Sequence, residues 1–254
     1  MRTREYEDEK YWNNLRRSRD HLGYEHVALD GSDGEKEFDH EILNAVVEKR
    51  VLDLGCGVGL FTLEIARGAR EAYAVDFSRE ALFRAKTNLT TAKQVNVGLE
   101  LADARKLPFT DATFDVVVSR RGPGTATMTT LYEAHRVLLK GGRLMEITIG
   151  EKDKANIAEI FGRGQNFGVK QRVAISKDKM LREAGFRSVE VKDYVATEIF
   201  SGMEDLIIRL SSAPIIPDFD VKQDSKFLLS VEKQCKTRRG IETEVHRVTI
   251  VAVK

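Results

Sequence analysis

The residues of this sequence whose types and spacing could do chemistry include three aspartates, each placed at the end of a short apolar run. Asp53 lies in the run 51–54, Asp76 follows the run 71–75, and Asp103 follows the run 97–101. Apolar runs of this length are typical of parallel strands that are buried on both faces of a sheet. The carboxyl ends of parallel strands share one edge, where doubly wound folds bind their ligands. The pattern therefore predicts a ligand site with three carboxylates at that edge.

Three alternate glycines follow the first run, and a helical pattern begins at Leu60. Because Gly55, Gly57 and Gly59 lack a Cβ, a ligand can approach their backbone, and the amides that open the next helix can bind an anionic group. The dinucleotide fingerprint G-x-G-x-x-G has its third glycine one residue later, where this chain has Leu60. A nicotinamide cofactor is therefore disfavoured, and a tight strand-to-helix turn without a ligand is the alternative interpretation.

The surroundings of the first two acids are also informative. A carboxylate in a buried strand is costly unless it is hydrogen-bonded, so Asp53 is predicted to meet a ligand or loop amides. Asp76 lies 17 residues beyond Gly59, near the interval of roughly 20 residues at which doubly wound folds place an acid on a ribose diol. Ser78 is predicted to cap the following helix, and a second capping role is the alternative for Asp76.

This order of an acidic residue, a G-x-G-x-G turn and further strand-end acids resembles the class I methyltransferases, which bind S-adenosyl-L-methionine. The resemblance covers roughly residues 45–194 and 246–254, and the chain looks most similar to the branch that includes the ubiquinone and menaquinone biosynthesis methyltransferases. It implies that the methionine end of the cofactor lies near the glycines, the ribose on Asp76 and the adenine by Asp103. The cofactor-binding residues that it implies are Asp53, Gly55, Cys56, Gly57, Gly59, Asp76, Phe77, Asp103, Ala104 and Ser119.

The segment after the fourth predicted strand is where this family places its substrate-side residues. Enzymes of the family that methylate base amines carry an Asn or Asp, two prolines and an aromatic residue there, whereas this chain reads Ser119-Arg120-Arg121-Gly122-Pro123. Two adjacent guanidiniums suit a carboxylate or a phosphate. Arg120 and Arg121 are therefore predicted to bind an anionic group of the substrate, and pairing with acids of the fold is the alternative. No catalytic base is predicted, since a guanidinium stays protonated.

Two regions lie outside the resemblance. Residues 1–44 are predicted to form an N-terminal helical cover, with Tyr11 and Trp12 docked either on the edge of the core or on the substrate. Residues 195–245 are predicted to be an inserted lid. Its apolar residues Ile215 and Ile216 lie between prolines with no regular element to bury them, so we expect the lid and the cover to close over the cofactor's methyl group.

The elements between these regions define the predicted fold class. Five strand-helix units, a strand, the insertion and a last strand predict an α/β fold with a doubly wound, seven-stranded, mostly parallel sheet of the Rossmann-like methyltransferase type. The antiparallel last strand is expected at one edge. Residues 45–194 and 246–254 would form this core.

Composition limits the remaining choices. The 254 residues carry a formal net charge of +1, so no global field attracts nucleic acid or an anionic membrane. Cys56 and Cys235 form no C-x-x-C pair, which excludes a cysteine zinc ribbon, and no metal site is predicted. The sequence shows neither an apolar signal core nor a membrane-length run, so a soluble, cytoplasmic protein is expected.

The predicted function is transfer of a methyl group from S-adenosyl-L-methionine, by in-line displacement, to a small-molecule acceptor. An RNA methyltransferase is an alternative, because residues 162–182 carry six basic side chains and one acid. A solvated surface is the simpler explanation of that segment. An aminopropyltransferase of the same fold and a non-catalytic cofactor-binding protein are further alternatives. No oligomeric state is predicted.

Overall fold

The computed structural model describes residues 27–254, so Tyr11 and Trp12 lie outside the described residues. The helices and strands, in chain order, are β1 (Val27–Asp30), α1 (Glu35–Ala45), β2 (Arg50–Leu54), α2 (Leu60–Gly68), β3 (Glu71–Asp76), α3 (Arg79–Thr91), β4 (Val97–Leu101), β5 (Phe114–Arg120), α4 (Met128–Val137), β6 (Leu138–Ile149), α5 (Ala155–Phe161), α6 (Val173–Glu183), β7 (Ser188–Phe200), α7 (Met203–Ser212), α8 (Ser225–Cys235) and β8 (Ile241–Val253). No helix among these is long and apolar enough to cross a bilayer.

The strands form one sheet in the order β1-β7-β8-β6-β5-β2-β3-β4. The pairs β2·β3, β3·β4, β2·β5 and β5·β6 are parallel. Strand β8 is antiparallel to both β6 and β7. The predicted Rossmann-like α/β fold with a mostly parallel sheet and an antiparallel last strand is therefore confirmed.

The last strand does not lie at an edge, and that part of the prediction is wrong. β8 lies between β6 and β7, and its residues Val248, Ile250 and Ala252 are fully buried. An edge position would leave one side of this apolar strand unpaired and exposed to water. Insertion between two strands removes that exposed side.

Within residues 27–254 the sheet has eight strands rather than the predicted seven. β7 and β8 extend beyond the predicted limits, and their pairing continues from Val195↔His246 to Phe200↔Ile241. This extension offers an edge to β1, which pairs with it from Val27↔Phe200 to Asp30↔Thr197. A four-residue strand has too little pattern of its own to be predicted, because it depends on the neighbour that it pairs with.

Apolar layers cover both faces of the sheet. On one face α4 and α6 bury residues such as Leu131 and Leu181 against the strands, and on the other face α1 and α2 bury Phe38 and Ile65. These layers fix the positions of the strand ends. They therefore determine which side chains can meet at the carboxyl edge of the parallel strands.

A third apolar cluster belongs to the segment that we call the cap, which consists of helix α5 and residues 201–240 with helices α7 and α8. The cap has its own core, to which Leu206, Leu210 and Val231 contribute. Ile215 and Ile216 are 4% and 2% exposed within it. The expectation that no element buries these isoleucines is wrong, because three helices surround the irregular segment that carries them.

Candidate active site

Asp53 stands near the end of β2 and is 2% exposed. Its Oδ2 accepts a hydrogen bond of 2.6 Å from the Thr62 hydroxyl of α2, so its partner within the described residues is a helix side chain rather than loop amides. Burial raises the pKa of Asp53 to about 6, although the hydrogen bond from Thr62 opposes the rise. The carboxyl ties the first turn of α2 to the end of β2.

The glycine loop that joins β2 to α2 consists of residues 55–59. Gly55, Gly57 and Gly59 have φ values of 80°, 55° and 76°, which favour glycine. A Cβ on Gly55 would lie 2.5 Å from Cδ of Pro123, and one on Gly59 would lie 3.0 Å from Cβ of Ala85. At these two positions glycine is therefore required by the turn and by neighbouring chain.

The first turn of α2 opens towards the same edge. Its N-cap, Gly59, provides no side-chain hydrogen bond, and no acidic residue lies in the first turn. The first amides of a helix have no partner within the helix, and they bind anionic groups well. This helix start fits the carboxylate of an amino-acid-like ligand.

Asp76 connects the glycine loop to the end of β3. Its Oδ2 accepts a hydrogen bond from the Gly57 amide at 2.9 Å, and its Oδ1 accepts one from the Ser78 amide at 2.9 Å. Ser78 caps α3 by accepting a hydrogen bond of 3.2 Å from the Ala81 amide, which confirms the predicted cap. Phe77 lies between Asp76 and Ser78 in the sequence and is half-buried.

Asp103 follows β4 and stands beside the end of β3, since the Ala102 amide donates to the Asp76 carbonyl oxygen at 3.2 Å. Its carboxylate accepts hydrogen bonds from Nε and Nη2 of Arg105 at 3.0 and 2.6 Å, which lower its pKa. Ala104 is buried in the core. The Asp103 side chain is 42% exposed. It is therefore accessible to a ligand, although its carboxylate already forms an ion pair with Arg105.

The loop after β5 packs directly against the glycine loop. Ser119 is fully buried, and its Oγ accepts a hydrogen bond of 3.1 Å from the Gly124 amide. A Cβ on Gly55 would lie only 3.2 Å from Cα of Gly122. The structure thus brings Ser119 and the residues after it to the same edge as the glycine loop and Asp76.

Arg120 and Arg121 are paired with acids of helix α1. Arg120 binds both carboxylate oxygens of Asp39 at 2.9 Å and Oε2 of Glu35 at 2.9 Å. Arg121 donates to Oε1 of Glu35 at 3.0 Å. Burial by itself would raise the pKa of Glu35, but nearby arginines lower it to about 2. The alternative interpretation of these arginines, pairing within the fold, describes their contacts in this structure.

Sequence reasoning missed several charged residues at this edge. Arg247 lies near the start of the predicted last strand. It donates from Nε to Glu35 Oε1 at 2.6 Å and from Nη1 to Asp153 Oδ1 at 2.5 Å. Lys154 forms an ion pair with Glu198. The one available signal was the antiparallel direction of β8, which brings its first residues to the edge where the parallel strands end.

Glu146 is a further residue that the sequence did not single out. It lies on β6 beside Ser119 and is 1% exposed. Within residues 27–254 its Oε2 has no hydrogen-bond partner, and it lies next to Gly124. Burial raises the pKa of Glu146 to about 7. Glu146 therefore stays largely protonated up to about pH 7, beneath the loop that contacts the glycine loop.

Comparisons with known proteins find a matching family and a similar fold. Residues 51–142 match a family described as a methyltransferase domain. A demethylmenaquinone methyltransferase of Geobacillus sp. is 26% identical over 183 residues, which are 60% of this chain and 76% of that protein. The crystal structure of YcgJ from Bacillus subtilis superposes with a TM-score of 0.66 at 16% identity, over 86% of this chain and 98% of that one.

A third comparison involves an enzyme with a named acceptor. Phosphoethanolamine N-methyltransferase 2 of Haemonchus contortus, solved with phosphomonomethylethanolamine and S-adenosylhomocysteine, superposes with a TM-score of 0.57 at 19% identity, over 88% of this chain and 53% of that one. S-adenosylmethionine is the methyl donor of the matching family. Over residues 51–142 the chain is therefore similar to the S-adenosylmethionine-dependent methyltransferases, and its sheet has the fold of a solved methyltransferase structure.

Proposed function

We propose that this methyltransferase acts on a small-molecule acceptor that carries an anionic group. The observation that carries the proposal is the position of Arg120 and Arg121, directly after Ser119 and beside the loop that contacts Gly55. Guanidinium groups bind carboxylates and phosphates with two parallel hydrogen bonds. No amine-accepting motif occupies this segment, which favours an anionic acceptor over a nucleic-acid base.

We further propose how the chain holds its cofactor. The methionine end would lie along residues 55–59, where the uncapped start of α2 favours a carboxylate. The ribose would lie on Asp76 and the adenine beside Asp103 and Ala104. S-adenosylmethionine supplies a methyl carbon made electrophilic by its sulfonium sulfur. The residues of the chain align the acceptor with that carbon and exclude water.

The cap and the N-terminal cover are proposed to enclose the acceptor. Support comes from the cap's own apolar core and from its attachment through β7 and β8, whose extended ends stand above the carboxyl edge of the parallel strands. Amide hydrogen exchange in residues 201–240 is expected to slow when S-adenosylhomocysteine and the acceptor are present. Equal protection with and without these ligands would mean that the cap is only structural packing.

The basic segment 162–182 gives little support to an RNA acceptor. Arg163, Arg172 and Arg182 pair with Asp224, Asp193 and Asp178 respectively. The Lys177 ammonium donates to the Thr125 carbonyl oxygen at 2.5 Å. Lysine and arginine side chains bind a nucleic-acid backbone by neutralising its phosphates, which releases the counterions condensed on the nucleic acid. Because each of the three arginines of this segment has a carboxylate of its own, whereas three arginines share Glu35, the segment is the weaker candidate for binding a phosphate group.

Two of the related proteins support a small acceptor by their names. One is named for demethylmenaquinone, and the other was solved with phosphomonomethylethanolamine, which carries a phosphate. Neither name identifies the acceptor of this chain, and both are consistent with an enclosed substrate rather than a macromolecule.

The test is an assay with methyl-labelled S-adenosylmethionine. The purified protein is incubated with a small-molecule extract and, separately, with total RNA, and Arg121→Ala and Arg67→Ala are assayed in parallel. Arg67 is an exposed arginine near the far end of α2 and serves as the control. Label is expected in small molecules, with a loss in Arg121→Ala and none in Arg67→Ala. Label in RNA alone, or equal turnover by all three proteins, would contradict the proposal.

A further inference from the structure

Three guanidinium groups converge on one carboxylate, that of Glu35. Oε2 accepts a hydrogen bond from Arg120 at 2.9 Å, and Oε1 accepts from Arg121 at 3.0 Å and from Arg247 at 2.6 Å. Glu35 is the first residue of α1, whereas Arg120 ends β5, Arg121 follows it and Arg247 lies on β8. One carboxylate balances one positive charge. The three guanidinium groups therefore carry more positive charge than Glu35 alone neutralises.

The remaining charges of the cluster come from a small set of partners. Asp39 binds Arg120, Asp153 binds Arg247, and Lys154 pairs with Glu198. Among the ion-paired groups, four cations face four anions while Glu35 is in place: Arg120, Arg121, Lys154 and Arg247 against Glu35, Asp39, Asp153 and Glu198. Arg209 is a further cation that acts on Arg121. If Glu35 left, the cluster would carry one uncompensated positive charge in a partly buried site. A single bound anion would restore the balance.

The cluster is accessible from the side of Arg121. The Arg121 side chain is 36% exposed, whereas that of Arg247 is 4% exposed. The backbone of Arg121 has a φ of 56°, which is unfavourable for a residue with a Cβ, and its amide is held by the Ile147 carbonyl oxygen at 2.7 Å. Strained residues of this kind persist where the surroundings hold a side chain at a particular place. Here that place is the open side of an arginine cluster.

Glu35 can leave without disrupting the core. It lies in the first turn of α1, and its own amide donates to Asp33 Oδ1 at 3.1 Å, so the helix start is held independently of the Glu35 carboxylate. The buried residues of the helix, Phe38 and Ile42, lie further along it. Rotation about the side-chain torsions of Glu35 would carry its carboxylate towards solvent while the helix stays packed.

We propose that Arg120, Arg121 and Arg247 form an anion-binding site in which Glu35 acts as an internal anion, and that a carboxylate or phosphate group of the methyl acceptor displaces Glu35 there. This inference rests on the proposed function and adds to it a third arginine and a competing residue. Because the arginines keep the pKa of Glu35 near 2, Glu35 is ionised at neutral pH. The acceptor must therefore compete with a charged group, and affinity depends on removing that competitor.

The test measures anion binding without any methyl donor. Inorganic phosphate and, in a separate arm, acetate are titrated into the wild type, Glu35→Gln and Glu41→Gln by calorimetry at constant ionic strength. Glu41 is an exposed acid of the same helix and serves as the matched control. Loss of the competitor is expected to tighten binding about tenfold or more in Glu35→Gln, which corresponds to about 1.4 kcal/mol, while Glu41→Gln matches the wild type. Adding Arg121→Met to Glu35→Gln is expected to abolish the gain.

Equal affinity in Glu35→Gln and the wild type for both anions would overturn the inference. If Glu35→Gln does not fold, Glu35→Asp provides the second measurement, because it keeps the charge but reaches one methylene less far. Phosphate is then expected to bind Glu35→Asp more tightly than the wild type, and equal affinity would overturn the inference. Tighter phosphate or acetate binding identifies which anion the site prefers.

The outcome is separable from that of the proposed function. Anion binding that follows this pattern without any methyl transfer to small molecules would support the site and contradict the function. Methyl transfer to small molecules with no change of anion binding among the variants would support the function and contradict the role of Glu35.

Discussion

Glu146 makes the stability of this protein depend on pH in a way that one substitution should remove. The side chain is 1% exposed, and burial raises its pKa from 4.5 to about 7. Glu146→Gln keeps the shape of the side chain and cannot ionise. Between these two pKa values the folded protein holds a proton that the unfolded chain has released, so the free energy of unfolding falls as pH rises through this range.

The magnitude follows from the size of the shift. One pKa unit corresponds to about 1.4 kcal/mol, so the shift of Glu146 corresponds to about 3 kcal/mol. The penalty is absent below pH 4.5 and complete above pH 7. Glu146→Gln should therefore gain about 3 kcal/mol relative to the wild type between about pH 4.5 and pH 8. Asp53, whose pKa burial raises to about 6, contributes equally to both proteins and cancels in the difference.

Urea unfolding of both proteins at several pH values between about 4.5 and 8 measures this difference directly. Lys177→Met provides a second variant, because the Lys177 ammonium lowers the pKa of Glu146. Removal of the Lys177 ammonium should raise the pKa of Glu146, so the fall in stability should continue to higher pH. Glu41→Gln, at an exposed position of α1, is the control for removal of a carboxylate outside the core. A constant difference between Glu146→Gln and the wild type would refute the reasoning.

Three further substitutions test the contacts of the candidate site. Asp76→Ala is expected to weaken S-adenosylmethionine binding by roughly 1.5 to 3 kcal/mol, measured by calorimetry, and unchanged affinity would remove Asp76 from the site. Gly55→Ala, which meets the loop after β5, should destabilise the protein more than Gly141→Ala, which has a similar φ but open space, and equal losses would contradict the close approach. Thr62→Val should lower stability by roughly 1 to 3 kcal/mol and raise the pKa of Asp53 further, which a loss of stability that continues to higher pH than in the wild type would show.

Local patterns predicted the features that arise within a few residues of chain. The apolar runs of the parallel strands, the glycines of the turn and the cap at Ser78 all follow from the geometry of short segments. The acids Asp53 and Asp76 could be placed at one edge, because parallel strands with helical crossovers all end on the same side.

Local sequence patterns do not predict the order of the last strands in the sheet. β8 has the same alternation whether it lies at an edge or between β6 and β7, and its place follows from burying both of its sides. β1 has no independent pattern, and it forms because β7 continues to Phe200. Ile215 likewise became part of a core only when three helices met around it.

The sequence by itself determined a methyltransferase-like sheet with a glycine turn and acids at its carboxyl edge, because these features follow from local backbone geometry. Only the tertiary structure decided that Arg120 and Arg121 meet Glu35, and that Arg247 joins them. Ion pairs between residues as far as 212 positions apart leave no periodic trace. They form because the packing of α1, β5 and β8 brings charges together where water is largely excluded and each needs a partner.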